Sequence, residues 1–341
     1  MMVDLDLQLH AKNTALSRMR LTFNRLLPDR RRMAGMILWI AFAFYVVPLS
    51  IAEPNFISIS NIISILLLTS VYALIAFGES LVILTAGIDL SVGSVVGLSG
   101  VVAAMLLNGH SSVGWILISL IAGILSGVLV GLCNGILVAF VNLPSFVTTL
   151  GTLSIALGIA FVVSSGQQIS INSTGFLNIA GGRIFDIPTP IVITFCAFVV
   201  LWVVLSYTRW GRFVYAVGGN IRAAYVAGLP VRKMLLSVYV ISGALAGLAG
   251  IILSSEVTVG VADNGSGYEL VAIAAPVIGG ISLAGGRGSL FGTLFGVVLL
   301  GTIGNGMTIL NVSPFYQHII RGVIIVVAVS IDILVNKRKL V

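Results

Sequence analysis

Ninety-three consecutive residues of this chain, 90 to 182, contain no Asp, Glu, Lys or Arg. Soluble domains are about a quarter charged, so a stretch of this kind cannot form a water-exposed surface. A helix crosses the hydrocarbon core of a bilayer in about 20 residues, and this stretch must therefore cross it several times. The whole chain agrees, with 58% hydrophobic and 9% charged residues. The sequence predicts an all-α, polytopic membrane protein embedded in a lipid bilayer.

Apolar windows predict about ten transmembrane helices within a domain spanning 34–335, preceded by a basic segment, 1–33, and followed by a short tail, 336–341. The predicted spans are 34–52, 61–78, 81–107, 114–140, 146–163, 189–207, 234–256, 269–284, 289–311 and 316–335. The eighth is short and contains Pro276, so we expect it to be re-entrant or broken. Spans two to five run opposite in sense to spans seven to ten, which suits an inverted repeat. Faint sequence similarity also relates 87–91 to 280–283.

The basic residues are concentrated next to apolar runs. Sixteen of the 18 lie in Lys12–Arg32, Arg209–Lys233, Arg287 and Lys337–Lys339. Positively charged loops stay on the cytoplasmic side, which predicts a multi-pass membrane protein with both termini and the loop 208–233 in the cytoplasm. The same distribution argues against a nucleic-acid partner despite the net charge of +7.

Glycines recur every fourth residue in several predicted spans, which lines one helix face with small residues and lets a neighbouring backbone approach closely. Tight packing is the simpler interpretation, and helices that slide along these faces during transport are the functional one. The residues are Gly123, Gly127, Gly131 and Gly135, then Gly243 and Gly247, then Gly288, Gly292 and Gly296.

The third span is interrupted around Gly87, Asp89 and Ser91. Gly87 can break a helix, and Asp89 can cap the next one by accepting its free N–H groups. An acid inside a span is costly, so a role in the permeation path is the alternative to a cap alone. Glu79 lies between predicted spans two and three, where a solvated position near the headgroups is favoured over a proton relay.

Three carboxylates flank or occupy a predicted outer loop: Glu256, Asp263 and Glu269. Carboxylates on an outer surface are suited to docking a basic patch on a soluble partner. We therefore interpret them as a candidate docking site for a soluble partner.

The predicted cytoplasmic loop 208–233, which we call the inner segment, is predicted to contain a two-turn helix at the cytoplasmic surface. Asn220 is a favourable N-cap, and Gly228 followed by Pro230 ends the helix. A short helix that presents Ala and Gly fits the groove of a partner, while an amphipathic turn on the membrane surface is the alternative. The candidate residues of this contact surface are Gly218, Gly219, Asn220, Arg222, Ala223, Ala224 and Gly228.

Taken together, these motifs resemble the permease subunit of ABC importers for ribose and related monosaccharides. The similarity covers roughly residues 55–335 and rests on Gly87–Gly93 (GIDLSVG), Asn142–Gly151 (NLPSFVTTLG), Arg209–Gly228, and Gly279–Gly280 through Gly285–Ser289 with Gly292 and Thr293. The resemblance implies one pathway formed with a second permease copy or a paralogue. It also implies an ABC ATPase beneath the inner helix and a periplasmic or extracellular sugar-binding protein outside.

The chain itself lacks a nucleotide-binding signature. A P-loop needs a Gly-Lys pair, and none of the four lysines follows a glycine. We therefore expect a transport subunit without catalytic or metal site or cofactor, with ATP and magnesium bound by the partner ATPase. The expected function is translocation of a ribose-like pentose or a hexose by alternating access.

Other functions remain open from the sequence. A related ABC permease could move branched-chain amino acids, nucleosides or a furanosyl signal. An ion-coupled carrier or channel would place acids within its spans, which the charge-free stretch disfavours. A membrane-embedded enzyme would require clustered His, Asp or Ser–Lys pairs, and His10, His110 and His318 are far apart in the sequence.

Overall fold

The structure is a computed structural model that describes the backbone of residues 30–337 and the side chains of residue 40 and residues 42–330. The chain divides into two compact units, one ending at Pro54 and the other beginning at Asn55. Residues 1–29 of the predicted basic segment and residues 338–341 of the predicted tail lie outside the described part.

Helices dominate the described chain, which confirms the all-α prediction. They are α1 Arg30–Ala52, α2 Ile59–Leu84, α3 Val92–Leu107, α4 Val113–Ala139, α5 Ser145–Ser164, α6 Thr174–Gly181, α7 Thr189–Tyr207, α8 Arg209–Gly219, α9 Ile221–Val226, α10 Val231–Val257, α11 Tyr268–Ile278, α12 Leu290–Ile309 and α13 Pro314–Lys337. A 3₁₀ turn covers Pro54–Ile57. The described strands have two residues each: β1 Ile169–Ser170, β2 Arg183–Ile184, β3 Ile187–Pro188 and β4 Val259–Gly260. Strand β1 pairs antiparallel with β4, and β2 pairs with β3.

Six described helices are long and apolar enough to cross a membrane: α2, α4, α5, α7, α10 and α12. By contrast, α3 and α11 contain 16 and 11 residues. They are therefore about 24 and 17 Å long, short of the roughly 30 Å hydrocarbon core.

The structure corrects two predicted spans. The third was predicted to begin at residue 81, but α2 continues to Leu84 and α3 begins only at Val92. The eighth was predicted to extend to residue 284, but α11 ends at Ile278, because Gly280 follows with φ +89° and starts a loop. A left-handed glycine is a common helix terminator.

The core of the second unit is built around α2 and α10. Every residue of α2 from Thr69 to Leu84 is buried, and α10 buries most of its length. A helix that is apolar on all sides belongs in an interior. Helices α4, α5 and α7 instead expose many Leu, Ile, Val and Phe side chains. These peripheral helices therefore carry the surface suited to lipid.

Helix packing follows the pattern that the predicted repeat implies, with α2 equivalent to α10, α3 to α11, α4 to α12 and α5 to α13. Helix α4 packs on α10 as α12 packs on α2, and α3 packs on α10 as α11 packs on α2. The α3–α4 and α3–α5 contacts likewise have counterparts in α11–α12 and α11–α13. The faint similarity between 87–91 and 280–283 does not join equivalent positions of the two repeats, because these segments follow α2 and α11. Chance in a chain rich in Gly, Ser and Leu accounts for it.

The glycine stripes lie at close helix crossings. A Cβ added to Gly127 of α4 would overlap the Gly243 carbonyl of α10, and one added to Gly131 would lie 3.0 Å from the Tyr239 carbonyl carbon. At the equivalent crossing of α11 and α12, a Cβ on Gly292 would lie 2.9 Å from the Gly279 carbonyl carbon. These contacts confirm the tight-packing interpretation of the stripes.

Candidate functional site

The break between α2 and α3 is formed by Thr85 to Ser91. The Thr85 hydroxyl donates to the Val82 carbonyl at 2.8 Å, and Ala86 turns the chain with φ +63°. A Cβ at Gly87 would lie 2.7 Å from the Tyr239 hydroxyl of α10, so a larger residue would displace that side chain. The predicted helix break at Gly87 is confirmed.

The break is held by a buried polar network centred on Asp89, whose side chain is 1% exposed. Its Oδ1 accepts hydrogen bonds from the Ser91 N–H (3.0 Å), the Ser91 hydroxyl (2.6 Å) and Asn134 Nδ2 of α4 (3.3 Å). Its Oδ2 accepts one from the Ser242 hydroxyl of α10 at 3.3 Å. The Thr152 hydroxyl of α5 donates to Asn134 Oδ1 at 2.6 Å. One carboxylate therefore connects the break to α4, α5 and α10.

Asp89 does not cap α3 in the way predicted. It accepts the N–H of Ser91, the residue before the helix, and no side chain caps the first turn of α3. The reason is packing: Asn134 and Ser242 present donors from neighbouring helices, and the carboxylate turns toward them. Sequence analysis missed Asn134, Thr152 and Ser242, although Asn134 is an isolated amide within an apolar helix and polar residues there usually have a partner.

The prediction that Glu79 occupies a solvated position is wrong. Its side chain is fully buried, because α2 continues for five residues beyond it before the break. Its Oε1 accepts the Asp89 N–H at 3.1 Å, and its Oε2 has no hydrogen-bond partner among the described residues. Glu79 thus supports the backbone of the break from inside the protein.

The inner segment forms two helices, α8 and α9. The Thr208 hydroxyl caps α8 by accepting the Gly211 N–H at 3.3 Å. Gly211, Val214 and Gly218 are buried on one face of α8, and this spacing of three and four could have revealed the helix from sequence. The predicted cap of α9 is confirmed, since Asn220 Oδ1 accepts the Ala223 N–H at 2.9 Å.

The exposed surface of α9 differs from the predicted one. Ala224 is only 4% exposed and packs in the core, and Gly218 of α8 is also buried. The exposed side chains are large and apolar, with Ile221 51%, Tyr225 74% and Val226 84% exposed. The prediction that Ala and Gly form the contact surface is therefore wrong for Gly218 and Ala224, whose small size serves internal packing. Gly219, Asn220, Arg222, Ala223 and Gly228 are exposed.

Three segments are in backbone contact at a place that we call the glycine junction. They are the C-terminal end of α8, the C-terminal end of α2 and the loop between α11 and α12. The Gly286 N–H donates to the Leu84 carbonyl at 2.9 Å, and a Cβ on Gly286 would lie 2.6 Å from Gly219 Cα. The Tyr215 hydroxyl of α8 donates to the Gly288 carbonyl at 3.0 Å. A movement of α8 would therefore be transmitted both to the break between α2 and α3 and to the loop between α11 and α12.

The three carboxylates predicted to dock a soluble partner do not share one surface. Glu256 lies near the C-terminal end of α10 and lines a cavity of about 270 Å³ with residues of α6 and α7. Asp263 and Glu269 line a different cavity, beside Gly93 and Ser94 at the start of α3. Glu256 is therefore separated from Asp263 and Glu269, which line one cavity together.

A family model described as "Branched-chain amino acid transport system / permease component" matches residues 61–329. The chain belongs to this permease family. The break, the polar network, helices α8 and α9 and the glycine junction all lie within the matched range.

Three similar proteins cover most of the permease. The ribose import permease protein of Bacillus subtilis (strain 168) is 41% identical over 84% of this chain and 89% of its own length. The D-allose transport system permease protein of Escherichia coli (strain K12) is 38% identical, over 84% of this chain and 88% of its own length. The L-arabinose transport system permease protein of the same strain is 37% identical, over 89% and 92%. No solved structure matches the permease.

Proposed function

We propose that the permease is the membrane-spanning subunit of an ABC importer for a monosaccharide, a ribose-like pentose or a hexose. The observation that carries this proposal is 37–41% identity, over 84–89% of the chain, to permeases named for ribose, allose and arabinose. The family description names branched-chain amino acids. The sugar relatives are similar along nearly their whole length, and they therefore favour a sugar as the solute.

The remaining parts of the importer would be separate chains. An ABC ATPase would bind ATP and magnesium, since this chain has no Gly-Lys pair for a P-loop. A periplasmic or extracellular binding protein would deliver the sugar, and a second permease copy or a paralogue would complete the pathway. Apolar helices and basic inner segments support placement in a bacterial inner membrane with cytoplasmic termini.

An ion-coupled carrier would contain buried acids, and Glu79 and Asp89 are indeed buried. Asp89, however, is already hydrogen-bonded at both oxygens by neighbouring helices. Membership of the permease family favours ATP-driven transport. We assign Asp89 to anchoring the helix break, and we assign Gly87 and Ser91 to the shape of that break.

The coupling surface would be the exposed apolar patch of α9, formed by Ile221, Tyr225 and Val226. An apolar patch outside the spans, next to exposed Arg222, suits a protein groove. The glycine junction then offers a short route from the ATPase to the break and to the α11–α12 loop, because α8 touches both. Closure of the ATPase would in this way change which side the pathway faces.

Uptake by the complete importer tests the proposed function. The permease is expressed with its ATPase and binding protein in a strain without other importers for these sugars. Uptake of labelled ribose, allose and arabinose is compared with that of labelled leucine. We expect ATP-dependent uptake of at least one sugar and none of leucine. Leucine uptake without sugar uptake would contradict the proposal.

Substitutions on α9 test the coupling surface. Val226 is 84% exposed, and burying a valine in an interface typically contributes about 1.5–3 kcal/mol. Val226→Asp should therefore weaken ATPase association about 10- to 150-fold, as measured by binding of the purified ATPase to the permease in nanodiscs. Arg222→Ala is the matched control on the same helix and should cost about 0–1 kcal/mol. If Val226→Asp and Arg222→Ala bound the ATPase equally well, the coupling surface would lie outside the apolar patch of α9.

A further inference from the structure

The connection between α10 and α11 descends along α3. At its start, β4 pairs with β1, in the loop that follows α5. There a Cβ added to Gly260 would lie 2.9 Å from the Gly100 carbonyl oxygen of α3. Five residues later, a Cβ added to Gly265 would lie 2.8 Å from Val96 Cβ and would overlap the Gly93 carbonyl. The contact thus moves about seven residues along α3, or roughly 10 Å.

This descent places Asp263 and Glu269 at mid-depth. Both line a cavity that also contains Leu153 and Leu157. These leucines lie at the centre of α5, a helix of membrane-spanning length that runs from Ser145 to Ser164. The carboxylates are therefore level with the middle of a span.

At this depth the surface is polar and open. Asp263 is exposed, and Glu269 is partly buried. The Asp263 carboxylate makes no hydrogen bond or ion pair with the described part of the chain, and Glu269 Oε1 accepts only the Gly267 N–H, at 3.2 Å, from another residue. A charged side chain facing hydrocarbon costs several kcal/mol, so this surface must face water or a polar ligand.

Ser94 provides an independent indication of a ligand. It lines the same cavity, is 7% exposed, and its hydroxyl has no hydrogen-bond partner among the described residues. This hydroxyl is not among the sealed, unpartnered atoms of the interior, so it is open to the cavity and can bond to a group that enters it. The cavity has a volume of about 40 Å³, which admits hydroxyl-sized groups but not a whole sugar ring.

The break between α2 and α3 is the equivalent segment of the other repeat, and its acid is occupied by hydrogen bonds within the protein. Thr85 to Asp89 (TAGID) and Thr258 to Asp263 (TVGVAD) have similar sequences, and Ala86 and Thr258 both have positive φ, +63° and +62°. Asp89 has both oxygens occupied by hydrogen bonds from the protein, whereas Asp263 has its acceptors free. The two segments therefore use their acids differently: Asp89 locks helices together, whereas Asp263 remains available.

We propose that Asp263, Glu269 and Ser94 form a subsite of the solute pathway that binds hydroxyl groups of the passing monosaccharide. The proposal rests on the proposed function and adds the residues that contact the sugar. Carboxylates are acceptors, and sugar hydroxyls are the donors they need. A neutral polyol suits this surface better than an anion, because the residues lining the cavity include two acids and no base. The rest of the ring would lie on the exposed surface next to the cavity.

Uptake by the complete importer tests the subsite. Asp263→Ala and Glu269→Ala should each lower uptake of the transported sugar about 10- to 100-fold, the value of a charge-assisted hydrogen bond. Ser94→Ala should lower it about 2- to 10-fold. Asp186→Asn removes a carboxylate from the β2–β3 turn and should leave uptake unchanged. Association with the binding protein should be normal in all variants.

Several outcomes would overturn the subsite. Unchanged uptake in Asp263→Ala and Glu269→Ala would show that the sugar does not touch them. Loss of binding-protein association in Asp263→Ala would assign this residue to docking. If Asp263→Asn, which keeps an acceptor oxygen, abolished uptake as Ala does and wild-type uptake required a sodium or proton gradient, the site would bind a cation.

Cysteine accessibility tests the same surface without transport, so it remains decisive if no sugar is taken up. Ser266 is exposed in this cavity, and Leu125 is 49% exposed at the centre of α4 among other Leu and Ile. In a variant lacking Cys133 and Cys196, Ser266→Cys should react with a hydrophilic thiol reagent and Leu125→Cys should not. The transported sugar should slow the reaction at residue 266. Failure of Ser266→Cys to react in both nucleotide-free and ATP-bound importers would refute a polar pathway there.

Discussion

The contact between α4 and α10 makes a sharp prediction for Gly127. An added Cβ would overlap the carbonyl oxygen of Gly243 and lie 3.0 Å from Val95 Cγ1. A backbone oxygen in the middle of a helix cannot rotate away, so Gly127→Ala forces the two helices apart. Overpacking of this kind costs about 1–3 kcal/mol.

Gly158 of α5 is the matched control, because a Cβ there has no atom within 4 Å. Both glycines lie inside long helices, so the gain in helix propensity of up to about 1 kcal/mol from Gly to Ala is similar at both. The difference in unfolding free energy between Gly127→Ala and Gly158→Ala therefore isolates the cost of the overlap. We expect Gly127→Ala to be less stable by about 1–3 kcal/mol.

The measurement is unfolding in mixed micelles titrated with sodium dodecyl sulfate and followed by the fluorescence of the four tryptophans. Equal stability of the two variants would show that α4 and α10 are not in backbone contact. Uptake measured in parallel distinguishes packing from movement. A loss of uptake in Gly127→Ala under conditions where most of the protein remains folded would additionally support helices that slide along the glycine face.

Three further results are expected. Asp89→Ala removes the acceptor of the Ser91, Asn134 and Ser242 donors and should lower the unfolding free energy by about 2–5 kcal/mol in the same titration. Asp89→Asn should lower it by about 1 kcal/mol, and equal losses in the two variants would refute the network. Tyr215→Phe removes the bond to the Gly288 carbonyl and should lower sugar uptake per ATP hydrolysed without weakening ATPase binding, and an unchanged ratio would exclude this contact from coupling. With native cysteines removed, an impermeant thiol reagent on intact spheroplasts should label Gln168→Cys and spare Ala223→Cys; the reverse pattern would invert the predicted topology.

Much of the fold could be predicted because the hydropathy of a segment, which is fixed by its residues, determines which solvent can surround that segment. The charge-free stretch 90–182 requires a bilayer wherever its helices pack, and six predicted spans correspond to long apolar helices. Local turn chemistry was equally readable. Asn220 caps α9, and Gly87 lies in the break, because these preferences depend on neighbouring residues alone.

Side-chain environments were decided by tertiary contacts. Ala224 was predicted to be exposed because it lies in a short helix outside the spans, yet that helix packs this residue into the core. Glu79 was assigned to a loop because no local signal shows that α2 continues past it. The partners of Asp89 come from α4 and α10, at separations of 45 and 153 residues.

The sequence by itself determined that this chain is an all-α membrane protein, since composition suffices for that, and the resemblance of its motifs pointed to an importer permease. Only the tertiary structure decided the depth of each acid. Asp263 follows a span in sequence, but its loop descends along α3 because Gly93 and Gly97 leave room for the backbone of that loop. Depth in a bundle depends on which helices leave such a groove, and that is a property of packed pairs rather than of any one segment.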